Sequence, residues 1–135
     1  MAFAILCGTA RGDEPPFRGV CYSPFRAGQS PDQGVSPSEA EIREDLTFIA
    51  ASGIATKIRT YGSGGVQAKI PEIALELNLE CWPGAWLGHN PGVNERELAA
   101  LVGVGRKKLA NTPILIVGNE VLLRGDLTER ELLEA

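Results

Sequence analysis

The chain has 135 residues, 44% of them hydrophobic and 22% charged, with a formal net charge of -4 and a pI of about 5.0. That suffices for one globular domain with a real core, and the acidic balance gives no footprint for nucleic acid or an anionic membrane. Three cysteines without CxxC spacing and a single histidine argue against a disulfide framework and a zinc site, so no metal and no cofactor is expected.

Residues 1–16 contain an apolar run from Ala2 to Cys7, too short to span a membrane and with no positive residue before it. The segment reads either as the remnant of a signal or anchor sequence or as a disordered start. A first strand is predicted from Gly19 to Tyr22, then a long loop through Pro24 and "RAGQSPDQGVSPS". A helix is expected to start at Ser36, with Pro37 in its first position and Glu39 closing a capping box. Ile42, Leu46, Ile49 and Ala50 recur at helical spacing, and Gly53 ends the element. Thr56 to Tyr61 gives a second strand. "GSGG" turns into a second helical region, which Pro71 breaks or restarts and whose inner face carries Ile73, Ala74 and Leu77.

"LECWPGAWLG" holds the third strand and its loop, with "HNPG" read as a turn. Asn94 and Glu97 offer a capping box for a third helix containing Leu98, Leu101 and Val102. Arg106, Lys107 and Lys108 suit the negative end of that helix. Ile114 to Val117 reads as a fully buried parallel strand, and Thr128 with Glu131 caps a fourth helix. Cys21 and Cys81 fall in strands and read as small buried hydrophobes.

Strands and helices therefore alternate as βαβαβαβα, the pattern of a parallel sheet covered by helices. A doubly wound sheet would fit the length, but the first loop has neither GxGxxG nor GKT, so nucleotide binding has no support. A (β/α)8 TIM barrel runs to about 250 residues. The expected fold class is α/β, a barrel of that type with only its first four βα units present, a half barrel.

Chemistry in such folds gathers at the carboxyl ends of the strands. Those ends carry Tyr22 and Ser23, Arg59 and Tyr61, Trp86 and His89, and Asn119 and Glu120. Aromatic faces, an amide, a guanidinium and a carboxylate are what a sugar ring requires. There is no Ser-His-Asp order and no metal cluster in the sequence. Packing explains Tyr22 and Tyr61 as readily, core cover explains Trp86, and His89 reads as exposed and idle. A structural pair with Arg59 is the plain alternative for Glu120, but two polar residues in succession at the end of an apolar strand are costly if buried unused.

"FRGVCYSPFRAGQSPDQG", "IRTYG", "WLG" and above all "VGNEVLLRGDLT" resemble glycoside hydrolase family 17, in its bacterial and fungal branch acting on β-1,3-glucan. The likeness runs from Phe17 to Leu133 and makes residues 17–135 the N-terminal half of a barrel. It implies retaining hydrolysis or transglycosylation of β-1,3-glucan or a related polysaccharide. It implies a secreted, periplasmic or membrane-anchored location outside the cytoplasm. Glu120 matches the family's general acid/base and Asn119 the residue that helps hold the sugar at the cleavage point. Tyr22 and Tyr61 match cleft aromatics, and Trp86 and Arg59 join them as candidate substrate contacts.

The chain also departs from the family. Retaining enzymes use two carboxylates about 5–5.5 Å apart, and the family's nucleophile ends the seventh strand. No residue here matches it; Glu72, Glu76 and Asp126 lie on expected helices or in the loop past Glu120. The expected function is the N-terminal half of a retaining β-1,3-glucan hydrolase or transglycosylase, inactive alone. The alternatives are a non-catalytic carbohydrate-binding half-barrel and an α/β domain related by descent only. No nucleic-acid partner is expected, but self-association through exposed edge strands is.

Overall fold

A computed structural model describes residues 18–31 and 33–135. The expectations for residues 1–16, Cys7 among them, lie outside the described residues. The element order is β1 (Gly19–Cys21), α1 (Glu39–Ser52), β2 (Lys57–Arg59), a 3-10 turn (Gly65–Lys69), α2 (Ile70–Glu76), β3 (Glu80–Trp82), β4 (Gly84–Ala85), α3 (Pro91–Arg106), β5 (Ile116–Val117), α4 (Val121–Arg124) and α5 (Glu129–Glu134). Strands β1, β2 and β3 form one parallel sheet in that order, and β4 pairs in parallel with β5. Parallel strands joined through helices are what the alternation predicts.

The register aligns Val20, Ile58 and Cys81 in one row across the sheet and Cys21, Arg59 and Trp82 in the next. Successive side chains on a strand point to opposite faces. The first row is buried beneath the helices with Ile42, Leu46, Ile49, Ile70, Ile73 and Leu79. Each such aliphatic, removed from water, stabilises the fold by about 1.5–3 kcal/mol. The second row faces the other side, where the strand ends meet.

The first helix starts two residues later than the sequence suggests. Ser38, not Ser36, is the cap: its Oγ accepts from the Glu41 N–H at 3.2 Å, and Glu41 Oε2 accepts from the Ser38 N–H at 2.8 Å. Both serines have a glutamate three residues on. The later register leaves Pro37 just outside the helix and buried, with Ile42 buried one turn in, the arrangement of a hydrophobic staple. Gly53 ends the helix in a left-handed conformation as expected.

Helix α3 differs in the same way. Asn90 caps it, accepting from the Val93 N–H at 3.2 Å, with Pro91 as its first residue. Asn94 is therefore inside the helix and buried, accepting from the Gly88 N–H at 2.9 Å and donating to the Gly88 carbonyl at 2.8 Å. Pro71 restarts the second helical region, lying in the first turn of α2. The third strand is split at Pro83 into β3 and β4. Gly84 there lies so close to the Thr60 carbonyl that a Cβ would sit 2.6 Å from it, so only glycine fits.

The fourth strand is the largest departure. Only Ile116 and Val117 pair, and Ile114, Leu115 and Val117 are exposed rather than fully buried. Strand β5 has β4 on one side and no second strand among the described residues. An apolar sequence specifies burial only where a neighbour covers it. Leu122, Leu123 and Leu133, which follow in the chain, are exposed as well.

Candidate functional site

The second row of side chains builds the site. From β2, Arg59 reaches across to the end of β5 and donates through Nη2 to Asn119 Oδ1 at 2.9 Å. Its guanidinium also lies 5.2 Å from the centre of the Tyr61 ring, within range for cation–π attraction. Arg59 Nε is buried and has no hydrogen-bond partner among the described residues. A buried donor left unpaired costs about 1–3 kcal/mol. It marks a place where an acceptor is wanted.

The turn after β5 is conformationally demanding. Gly118 has φ 76, where an added Cβ would meet Val121 at 2.6 Å, and Glu120 has φ 52. A left-handed conformation in a residue with a Cβ costs roughly 1–2 kcal/mol, and such strain tends to gather at functional positions. It turns the Glu120 side chain outward, exposed, at the start of α4.

Tyr61 carries the titratable hydroxyl of this group. Its pKa is raised, first by a hydrogen bond with the Cys21 thiol and then by burial. The Cys21 charge and that of Glu120 push the same way, against Arg59, which lowers it. Cys21, expected to be buried, is only partly so and stands on the site side of the sheet. Cys81 behaves as expected, its thiol pushed up to about 12 by burial.

Tyr22 corrects the sequence reading. It shares the parity of Val20, so its ring enters the helix side of the sheet and is 1% exposed. Its hydroxyl donates to Asp45 Oδ2 at 3.0 Å, and Arg26 holds the other oxygen of Asp45 at 2.6 Å. Tyr22 is a core residue that fastens β1 to α1, and it presents no surface to a cleft.

Trp86, 39% exposed, has the Arg124 guanidinium over its ring, 4.2 Å from the centre. Arg124 donates to the carbonyls of Asn119 and Leu87 and, through Nε, to Asp126 at 2.7 Å. Asp126 also pairs with His89 at 3.0 Å, so His89, though exposed, is engaged. Arg59, Tyr61, Asn119 and Glu120 are thus brought together, and Arg124 links Trp86 to them.

Three other carboxylates differ from Glu120 in being engaged. Glu97, expected in a capping box, instead accepts from the amides of Ser63 at 2.8 Å, Gly64 at 2.9 Å and Trp86 at 3.3 Å. It clasps the loop after β2 to the end of β4. Glu72 pairs with Lys107 and Lys69, which hold its carboxyl below the usual range. Glu76 pairs with Arg43. The roles of Glu97 and Arg124 depend on tertiary contacts that spacing does not reveal. Arg124 nevertheless stood within the "VGNEVLLRGD" stretch, four residues past Glu120.

No family model matches the chain. A curated relative, glucan endo-1,3-beta-glucosidase btgC of Emericella nidulans, is 26% identical over 121 residues, 85% of this chain and 18% of the relative. The crystal structure of a glycoside hydrolase family 17 beta-1,3-glucanosyltransferase from Rhizomucor miehei superposes with a TM-score of 0.64 at 24% identity, over 85% of this chain and 41% of that one. The fold is that of a family 17 protein over part of its length. An active-site mutant of the same Rhizomucor miehei enzyme, in complex with laminaritriose, gives a TM-score of 0.62 at 23% identity, over 87% of this chain and 42% of that one. The chain thus spans less than half the length of the family 17 structures it matches. The likeness first seen in the strand-end motifs extends to the parallel α/β architecture beneath them.

Proposed function

We propose that the chain is the first four βα units of an eight-unit barrel and carries part of a β-1,3-glucan site. Glu120 is the general acid/base: it gives a proton to the glycosidic oxygen and later takes one from the incoming water or sugar hydroxyl. Asn119 hydrogen-bonds the sugar at the cleavage point, and Tyr61, Trp86 and Arg59 line the approach. The observation that carries this reading is one constellation. An outward carboxylate in a left-handed turn ends a parallel strand. Its neighbour Asn119 is held by Arg59, whose guanidinium lies 5.2 Å from the Tyr61 ring centre.

Retaining chemistry needs a second carboxylate as nucleophile. Glu72, Glu76, Glu97 and Asp126 are each engaged by other partners. The nucleophile is therefore proposed to come from a later unit of the barrel, outside this chain. The buried Nε of Arg59 is a donor that such a carboxylate, or a sugar hydroxyl, would satisfy. The engagement of those acids also favours the second reading, in which the 135 residues alone bind carbohydrate without turning it over.

A barrel completed with the remaining units of the Rhizomucor miehei enzyme tests the assignment. Glu120→Gln there should nearly abolish turnover of laminarin. It should spare the glycosylation step of an aryl glucoside whose leaving group needs little protonation, and azide should rescue deglycosylation. Equal loss on both substrates, with no rescue, would count against the role.

A further inference from the structure

The guanidinium of Arg124 occupies a junction that the proposed chemistry does not by itself explain. It lies over the Trp86 ring, 4.2 Å from its centre. Its Nη2 donates to the Leu87 carbonyl at 2.8 Å, its Nη1 to the Asn119 carbonyl, and its Nε to Asp126 Oδ2 at 2.7 Å. Every nitrogen of the fork is therefore used, on acceptors from three different segments. The Asn119 carbonyl belongs to the peptide that joins Asn119 to Glu120, and the plane of that peptide is set in part by the Glu120 φ. A donor fixed on this oxygen thus bears directly on the left-handed turn at Glu120. The same guanidinium sits over the Trp86 ring, part of which stays exposed to meet a ligand.

We propose that Arg124 is a positioning residue that sets the Glu120 backbone and the Trp86 ring plane together. The carboxylate and the aromatic platform then keep one fixed relation. The inference deepens the reading of Glu120 as acid/base and of Trp86 as a sugar contact, and rests on it for its functional meaning. A planar, five-donor group is needed for this task. A lysine ammonium is a compact point charge that cannot satisfy three divergent acceptors while lying over a ring.

The test is NMR on the isotopically labelled 135-residue chain and its Arg124→Lys variant. In the unsubstituted chain the Arg124 side-chain protons should be shifted upfield by the Trp86 ring current. The Arg124 guanidinium protons should exchange slowly, and Glu120 should show the strong intraresidue amide-to-Hα contact of a left-handed residue. Arg124→Lys should lose that contact at Glu120 and shift the Trp86 indole N–H resonance, while the core amides of Ile42 and Ile58 stay in place. A variant that keeps the Glu120 contact and the Trp86 resonance would overturn the inference. So would the absence of the ring-current shift in the unsubstituted chain, a result that does not depend on the variant folding. Glu120→Gln turnover in the completed barrel reports on the acid/base reading alone, so each claim can fail without the other.

Discussion

Arg59 Nη2 and Asn119 Oδ1 meet at 2.9 Å across 60 residues of sequence, joining the end of β2 to the end of β5. This one bond orients the amide beside Glu120 and gives the Arg59 charge an acceptor. Asn119→Ala should lower stability by about 1.5–3 kcal/mol, because it strands a partly buried guanidinium. Urea unfolding checks this; a change within experimental error would mean that solvent replaces the bond without loss.

Glu120→Gly should act in the opposite direction. Removing the Cβ relieves the left-handed turn, worth roughly 1–2 kcal/mol, less the added freedom of the unfolded glycine, about 0.4–1 kcal/mol. Calorimetry should therefore show an unchanged or slightly raised melting temperature for a residue proposed to be essential for turnover. A clear drop would mean that the glutamate side chain contributes to folding rather than being held against it.

The capping box of α1 gives a pH-dependent prediction. Hydrogen bonds from Ser38, the backbone one first, lower the Glu41 pKa below its ordinary 4.5. A carboxylate depressed on folding stabilises the native state above the unfolded value, and that contribution is lost as pH falls through the folded one. Ser38→Ala should cost about 1 kcal/mol near neutrality. The gap between variant and parent in urea midpoint should narrow as the pH is taken below 4.5; a constant gap would contradict the linkage.

At the other end of the scale, burial is the largest cause raising the Tyr22 pKa, with the Asp45 charge and hydrogen bond adding to it. Its phenol stays neutral in the fold above the ordinary 10.0. A group raised on folding stabilises below its unfolded value, and the contribution is lost as pH rises toward the folded one. Stability should thus fall above pH 10.0. Tyr22 ionisation, followed by ultraviolet absorbance, should appear together with unfolding seen by circular dichroism. Titration of both tyrosines in a folded chain would contradict the burial of Tyr22.

The contrast between the two tyrosines also shows what the sequence made legible. Alternating strand and helix signals, the Gly53 stop and the Thr128–Glu131 cap all correspond to elements of the fold. At the site, Arg59, Tyr61, Asn119 and Glu120 come from strand ends that apolar runs and glycines mark plainly. Position along the strand alone puts Tyr22 at a cleft, whereas parity does not. Counting by twos from buried Val20 assigns Tyr22 to the helix side and Cys21 to the site side. The helix starts slipped for a different reason: two capping signals stood close together, and packing at Pro37 and Ile42, or proline at Pro91, chose between them. Arg124 and Glu97 act over distances in space that no local pattern encodes.

The uncovered surface around β5 should make the chain associate. Leu123 and Leu133 are 82% and 80% exposed, and β1 and β5 each pair on one side only among the described residues. Apolar patches and free strand edges of this kind favour pairing. Light scattering should show dimers or larger species, and Leu123→Lys combined with Leu133→Lys should shift them toward monomer. A monodisperse monomer of the unsubstituted chain would refute this.

If the strand-end face is a β-1,3-glucan site containing Glu120, an NMR titration of the labelled chain with laminaritriose should reveal it. With one wall of a cleft present, affinity should be in the millimolar range, about 4 kcal/mol. The amides of Tyr61, Trp86, Asn119 and Glu120 should shift together along one binding curve, and Trp86→Ala should remove the response. Shifts confined to other faces, or strand-end amides unmoved at tens of millimolar ligand, the range about ten times that affinity, would contradict the account.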